Sequence, residues 1–221
     1  MSLQALVKSI QEIMRKDEGV DGDAQRLNQL VWMLFLKIID DQEKFYELAD
    51  PKYTSPIPAK YRWRAWATDP EGITGDGLLD FVDKELFPAL KELKTPTENK
   101  LGLLVKEVFS DSHNYMKSGT LIRQVINKIN EVDFNKKEDR HHFNEIYEQL
   151  LKGLQSAGKY GEFYTPRPLT QFIVEMVNPQ LGETMLDPAC GTGGFLVSTI
   201  EHIRSHQVKT QKDEKKLEQS I

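Results

Sequence analysis

Three glycines fall within four positions, at Gly191, Gly193 and Gly194, inside the string LDPACGTGGFL that runs from Leu186 to Leu196. A short apolar run, Thr184 to Leu186, reaches Asp187 before the glycines, and apolar residues resume at Phe195 and Leu196. The order predicts a strand, a turn and a helix. Glycines in such a turn let a ligand approach the backbone, and the first amides of the helix point outward toward negative charge. A plain turn needs one glycine, so this string asks for a ligand.

Spacing limits which ligand. A dinucleotide fingerprint wants a third small residue where Phe195 and Leu196 stand, and a P-loop wants a lysine after the glycines, which is missing here. What remains is a carboxylate, Asp187, placed to face a cationic group, beside glycines that admit a bulky nucleoside. S-adenosylmethionine, with its sulfonium and amino group, matches that description. No metal site is expected: His141 and His142 are adjacent and cannot face one ion from a regular helix, and no cysteine lies near them. A helix start is the better account of that pair.

DPACGTGGFL, preceded about twenty residues earlier by GEFYTPR, resembles the modification (methyltransferase) subunit of type I restriction–modification systems, which methylates adenine N6 in DNA. The two motifs in this order are far more specific than either alone. The resemblance implies that Glu162, Phe163, Tyr164, Thr165, Pro166 and Arg167 wrap the methionine and adenosine side of S-adenosylmethionine. It implies that Asp187 holds the amino group and that Thr192, Gly193 and Gly194 bring amides to the carboxylate. Phe195 is expected to pack the following helix. Cys190 follows alanine rather than proline, and amino methylation needs no covalent intermediate, so the thiol is expected to be a turn residue and not a nucleophile. The implied partners are DNA through a specificity subunit, a second modification subunit and a restriction or translocase subunit.

The elements that must position these residues are helical almost throughout. In residues 1–155 one helix follows another: LQALVKSIQEIM carries Leu3, Leu6, Val7, Ile10, Ile13 and Met14 at three-four spacing. A second helix is expected from Ala24 to about Leu48, capped by Asp23, with Leu27, Leu30, Val31, Leu34, Phe35 and Ile38 on one side. Trp32, Met33, Leu36 and Ile39 widen its apolar stripe and place it at the centre of a cluster. LLDFVDKELFPALKEL should be capped by Asp76 and bent or shortened at Pro88; NKLGLLVKEVF, GTLIRQVINKINEV and HHFNEIYEQLLKGL follow. Between Pro51 and Gly77, prolines and glycines mark an irregular connection. Within it YRWRAWA alternates basic and aromatic residues. The expected role of Trp63 and Trp66 is to pin the loop to the core while Arg62 and Arg64 stay hydrated, in preference to base stacking and phosphate pairing.

From residue 156 the character changes to a glycine-bounded loop and a helix bearing Leu169, Phe172, Ile173, Met176 and Val177 on one face. The strand–turn–helix unit comes next, followed by a polar end, QVKTQKDEKKLEQSI, read as a frayed helix or disordered tail. The expected fold is thus mostly α: a helical domain over 1–155, then over 156–221 the opening βα unit of an incomplete Rossmann-like methyltransferase domain. One strand alone has nowhere to place its ladder hydrogen bonds. The expectation is a piece of a longer or split protein.

The composition agrees with a globular chain that leaves DNA reading to a partner. With 221 residues, 39% hydrophobic and 29% charged, its net charge of −5 argues against gripping nucleic acid by its own field. No apolar run reaches the length of a membrane span, and the lone cysteine excludes an internal disulfide and suits a reducing compartment, cytoplasmic by default. Two other functions fit parts of the pattern. One is a helical interaction module with no enzymatic duty, and the other is a methyltransferase acting on RNA or on protein glutamine.

The Asn-Pro-Pro-aromatic segment that holds the target adenine in the family does not occur in the 221 residues; Asn178-Pro179-Gln180 lacks the second proline and precedes the turn. No catalytic residue is therefore assigned in this chain. Asp213 and Glu214, at the offset of a ribose-binding acid, read as a solvated tail. Incubated alone with DNA and labelled S-adenosylmethionine, this polypeptide should incorporate no methyl group, as a filter-binding count would show.

Overall fold

The computed structural model describes residues 3–132, 165–191 and 193–220. The chain divides into two compact units, Met1–Tyr160 and Gly161–Ile221.

The first unit is helical. Helix α1 spans Leu3–Met14 and α2 spans Asp23–Ala49. Asp23 is the first helical residue and not the cap; Gly22 holds that place, its amide donating to Gln25 Oε1 at 3.0 Å. Along α2, Trp32, Met33, Leu30 and Leu36 are almost fully buried, so the helix does lie amid its neighbours, although Val31 faces outward. Trp32 packs edge-on against Phe87 at 5.1 Å, and Phe87 against Phe109 at 5.2 Å, forming an aromatic chain through the core.

The connection after α2 contains a one-turn helix α3, Trp63–Trp66. Its two tryptophans are buried, stacked edge-on at 5.3 Å, and Trp63 Nε1 donates to Asn130 Oδ1 at 2.8 Å. They pin the loop as expected. The arginines are half-buried and paired with carboxylates, where the expectation left them in solvent. Arg64 donates to Asp40 Oδ1 at 2.7 Å and to Glu47 Oε2 at 2.6 Å, while Arg62 reaches Glu47 Oε1 at 3.1 Å. Asp40 is 2% exposed, and a carboxylate so buried needs an opposite charge, which this loop supplies. The basic–aromatic alternation is consumed inside the unit.

Helix α4, Gly75–Asp80, continues without a break through a π-helical turn, Phe81–Leu86, into α5, Phe87–Lys91. Thr74, not Asp76, holds the N-cap position. The π turn sits directly upstream of Pro88. A proline has no amide to donate to the preceding turn, and the wider turn takes up that defect without ending the helix. Helix α6, Lys100–Ser110, is capped by Asn99, whose side chain accepts from the Gly102 amide at 2.9 Å. Helix α7, Gly119–Ile129, is capped by Ser118 and packs on α1, α2 and α4. The expected helix at residues 141–154 lies outside the described residues.

Polar side chains hold the irregular segments of this unit. Asp17, 4% exposed, accepts from the amides of Gly19, Lys117 and Ser118 at 2.8–3.1 Å. Gln29 accepts from the Tyr115 amide at 2.7 Å and donates to Asn114. Arg123, 5% exposed on α7, makes five hydrogen bonds, all to carbonyl oxygens, those of Trp66, Ala67, Asp69 and Ile73. Burial pulls its pKa below the ordinary value, with the Asp69 carboxylate partly opposing.

The second unit has three helices among its described residues: α8, Arg167–Val177, α9, Gly194–His206, and α10, Gln211–Ser220. Helix α8 packs on α9. The expected strand at Thr184–Leu186 is not formed; among the described residues no strand occurs, and Leu186 is 84% exposed. The βα unit is therefore absent here, because an extended segment becomes a strand only when a second one accepts its ladder. The polar end is ordered as α10. Thr210 and Asp213 cap its start reciprocally: Asp213 Oδ2 accepts from the Thr210 amide at 2.9 Å, and the Asp213 amide donates to Thr210 Oγ1 at 3.2 Å. The Thr210 hydroxyl and the Lys209 and Thr210 amides hold the Asp213 carboxyl below its usual range. Leu217 is buried, and Arg204 Nε donates to Glu214 at 2.9 Å. Neither acid is placed as a free ribose ligand.

Replacing Arg123 by methionine leaves those carbonyls without their donor and should lower stability by about 3 kcal/mol, read from the shift in a urea unfolding midpoint.

Candidate cofactor turn

The glycine turn has the backbone that its residues demand. Gly191 and Gly193 have φ of +51° and +72°, in the left-handed region, and an added Cβ at either would meet nothing within 4 Å. The conformation, not crowding, calls for glycine here. Asp187, half-buried, accepts the Ala189 amide on Oδ1 at 3.1 Å, and the Gly193 amide closes the bend on the Cys190 carbonyl at 2.7 Å. Cys190 is exposed and supplies a backbone carbonyl to the bend, with no base placed to activate its thiol among the described residues. Gly193 occupies the N-cap position of α9, and no side chain caps that helix.

Helix α8 brings the second motif alongside. Pro166 is its N-cap, Arg167 its first residue, and Pro168 sits in the first turn, where no amide donor is needed. One turn in, Thr170 is fully buried. Its hydroxyl donates to the Arg167 carbonyl at 2.9 Å and accepts from Ser198 Oγ of α9 at 2.9 Å. A Cβ on Gly194 would lie 3.6 Å from Thr170 Cγ2. The starts of α8 and α9 are thus held side by side, with Arg167 on one and Gly193 and Gly194 on the other. Thr165 and Pro166 are exposed, and Arg167 is half-buried. Glu162, Phe163, Tyr164 and Thr192 lie outside the described residues.

Sequence periodicity pointed to the wrong contact face of α8. Its apolar stripe, Leu169, Phe172, Ile173, Met176 and Val177, is exposed, and Thr170 and Val174 are buried instead. The neighbour α9 takes the small-residue side. Between α8, α9 and the irregular segment that joins them lies a hollow of about 310 Å³ walled by Ile173, Val177, Met185, Leu186, Phe195 and Ile203. Phe195, in the first turn of α9, lines it; Asp187, Gly193 and Gly194 are not among its walls. Thr170 and Ser198, which join the two helices, are the positions that residue-by-residue reading missed. Their signal was weak: two small hydroxyl residues, each four positions or fewer into a helix that starts at a motif.

Two family models match. Residues 3–129 match the HsdM N-terminal domain, and residues 138–218 match N-6 DNA methylase. The chain belongs to the modification subunits of type I restriction–modification systems. It is 58% identical, over its whole length, to the type I restriction enzyme EcoEI methylase subunit of Escherichia coli, of which it covers 45%. It is 30% identical to the MjaIX methylase subunit of Methanocaldococcus jannaschii, over 76% of this chain and 28% of that one. Among solved structures, a modification subunit assigned to a type I restriction enzyme of Vibrio vulnificus superposes with a TM-score of 0.86 at 42% identity, covering 97% of this chain and 48% of that one. A chain from a study of complex assembly and conformational transition of the type I restriction–modification system superposes with a TM-score of 0.78 at 35% identity, over 97% and 43%. The chain therefore spans between about a quarter and a half of the length of these relatives.

Thr170→Val removes one hydroxyl of a buried pair and strands Ser198. It should destabilise the second unit by about 1–3 kcal/mol, while the double variant with Ser198→Ala should cost less than the sum of the single changes, a non-additivity visible in thermal unfolding.

Proposed function

We propose that this chain is the N-terminal part of an adenine-N6 DNA methylase subunit and carries one wall of its S-adenosylmethionine cradle. The observation that supports this most is the lateral contact of α8 and α9 through Thr170, Ser198 and Gly194, since α8 follows the Thr165–Pro166 segment and α9 follows the glycine turn. The residues suit the cofactor. Left-handed glycines with open space above them leave the backbone approachable, the helix start is uncapped by any side chain, and a half-buried carboxylate precedes them. Helical residues 1–155 form one domain on this reading, and 156–221 open a Rossmann-like domain. Its further strands would pair with the Thr184–Leu186 segment and cover the apolar stripe of α8.

When bound, S-adenosylmethionine supplies a methyl group activated by a sulfonium. The chain's own groups bind and orient. Asp187 would take the amino group as a charge-assisted acceptor. The amides of Thr192, Gly193 and Gly194 would meet the carboxylate, where the positive end of the α9 dipole favours an anion. Glu162, Phe163, Tyr164, Thr165, Pro166 and Arg167 would enclose the adenosine side. Transfer to the adenine amino group is a direct displacement on a flipped base, so no protein nucleophile is required and Cys190 takes no part. The adenine-holding groups are assigned to residues other than these 221. DNA reading falls to a specificity subunit, with a second modification subunit and a restriction or translocase subunit as further partners, in the cytoplasm.

Isothermal titration with S-adenosylmethionine tests the cradle. Saturable binding by the chain, weakened about 10- to 100-fold by Asp187→Ala, is the expected result. A wild-type chain that takes up no cofactor would instead favour a non-catalytic module that docks onto partner subunits.

A further inference from the structure

At the far end of α9 from the glycine turn stands a second group of side chains able to bind a ligand. His202 and His206 are one helical turn apart, on one face, with ring centroids 4.7 Å apart and planes inclined by 34°. His206 Nδ1 lies 2.8 Å from the His202 carbonyl oxygen and 2.9 Å from Ser205 Oγ. A carbonyl can only accept, so in the neutral ring Nδ1 carries the proton and Nε2 holds the lone pair. His202 Nε2 lies 3.0 Å from Asn178 Oδ1. Asn178 belongs to the other helix: it is the residue that ends α8, in the left-handed region at φ +50°.

We infer that His202, His206 and Asn178 form a site for a divalent transition-metal ion of the imidazole-binding class, Zn²⁺, Ni²⁺ or Cu²⁺. Two donors bound to one ion at roughly 2.0–2.2 Å each stand about 3 Å apart, the spacing that His202 Nε2 and Asn178 Oδ1 already have. The ion replaces the proton on His202 Nε2, which leaves to solvent, and retains the amide oxygen as its neighbour. His206 contributes Nε2, its other nitrogen already fixed on a backbone carbonyl, the support that orients histidine ligands in metal sites. Water completes the coordination, because the surface is open at His206. No three His, Cys, Asp or Glu side chains converge among the described residues, and the third donor here is an amide. The site joins the end of α8 to α9, so the ion fastens the same helix pair that Thr170 and Ser198 hold at its other end.

The test uses the untagged chain with Cu²⁺ and Ni²⁺ alone. Electron paramagnetic resonance should show one Cu²⁺ per chain with the splitting of two imidazole nitrogens, and excess Ni²⁺ should raise the thermal midpoint. Both effects should vanish in His202→Ala and His206→Ala. Asn178→Gly, which keeps the left-handed backbone, should weaken binding roughly tenfold. The double change of His141 and His142 to alanine should leave everything unchanged. Far-UV circular dichroism checks each variant, and His202→Gln and His206→Gln replace any that lose helicity. Uptake that survives the His202 change, a one-nitrogen spectrum, loss only in the His141 and His142 variant, or indifference to Asn178→Gly would overturn the assignment.

Discussion

A hydrogen bond between two buried hydroxyls, Thr170 on α8 and Ser198 on α9, is the interaction on which the candidate site rests. Two helices can begin side by side only if the residues between their first turns are small and their polar atoms are paired. Thr170, Gly194 and Ser198 meet both conditions. Everything assigned to the cofactor follows from that contact, since each motif is attached to the start of one of the two helices. The glycine turn then needs little from its surroundings: its own amide–carbonyl bond from Gly193 to Cys190 and the Asp187–Ala189 bond shape it locally.

The first unit solves a different problem. Its helices bury a continuous apolar cluster, but the segments that join them carry backbone groups into the interior, and each must find a partner. Asp17 and Gln29 gather amides, and Arg123 gathers carbonyls. The same need explains why Arg62 and Arg64 point inward. Asp40 on α2 would be a costly buried carboxylate without Arg64, the half-buried Glu47 accepts from both arginines, and the loop that brings them is held by Trp63 and Trp66. A string that could have met nucleic acid is instead an internal clasp.

Much of this was legible from residue order. The helices of the first unit, the burial of Trp63 and Trp66, the break at the glycine turn and the membership in the type I modification family all follow from local periodicity or from motifs. What was not legible concerns partners in space. The apolar stripe of α8 was plain in the sequence, yet it is exposed, because α9 packs on the Thr170 and Val174 side. The strand expected at Thr184–Leu186 lacks a neighbour among the described residues and stays irregular, without a ladder. The polar end became a helix through a capping pair, Thr210 and Asp213, and one buried anchor, Leu217.

Residue order alone determined the turn at Asp187–Gly194 and the helices on either side, because backbone freedom, proline placement and capping act over a few neighbouring positions. Tertiary structure decided which face of α8 is covered, which acids the arginines of the loop meet, and that Asn178 lies against His202. Those pairings join residues from 15 to 28 positions apart. They depend on which helix arrives beside which, and no local rule of propensity or periodicity contains that information.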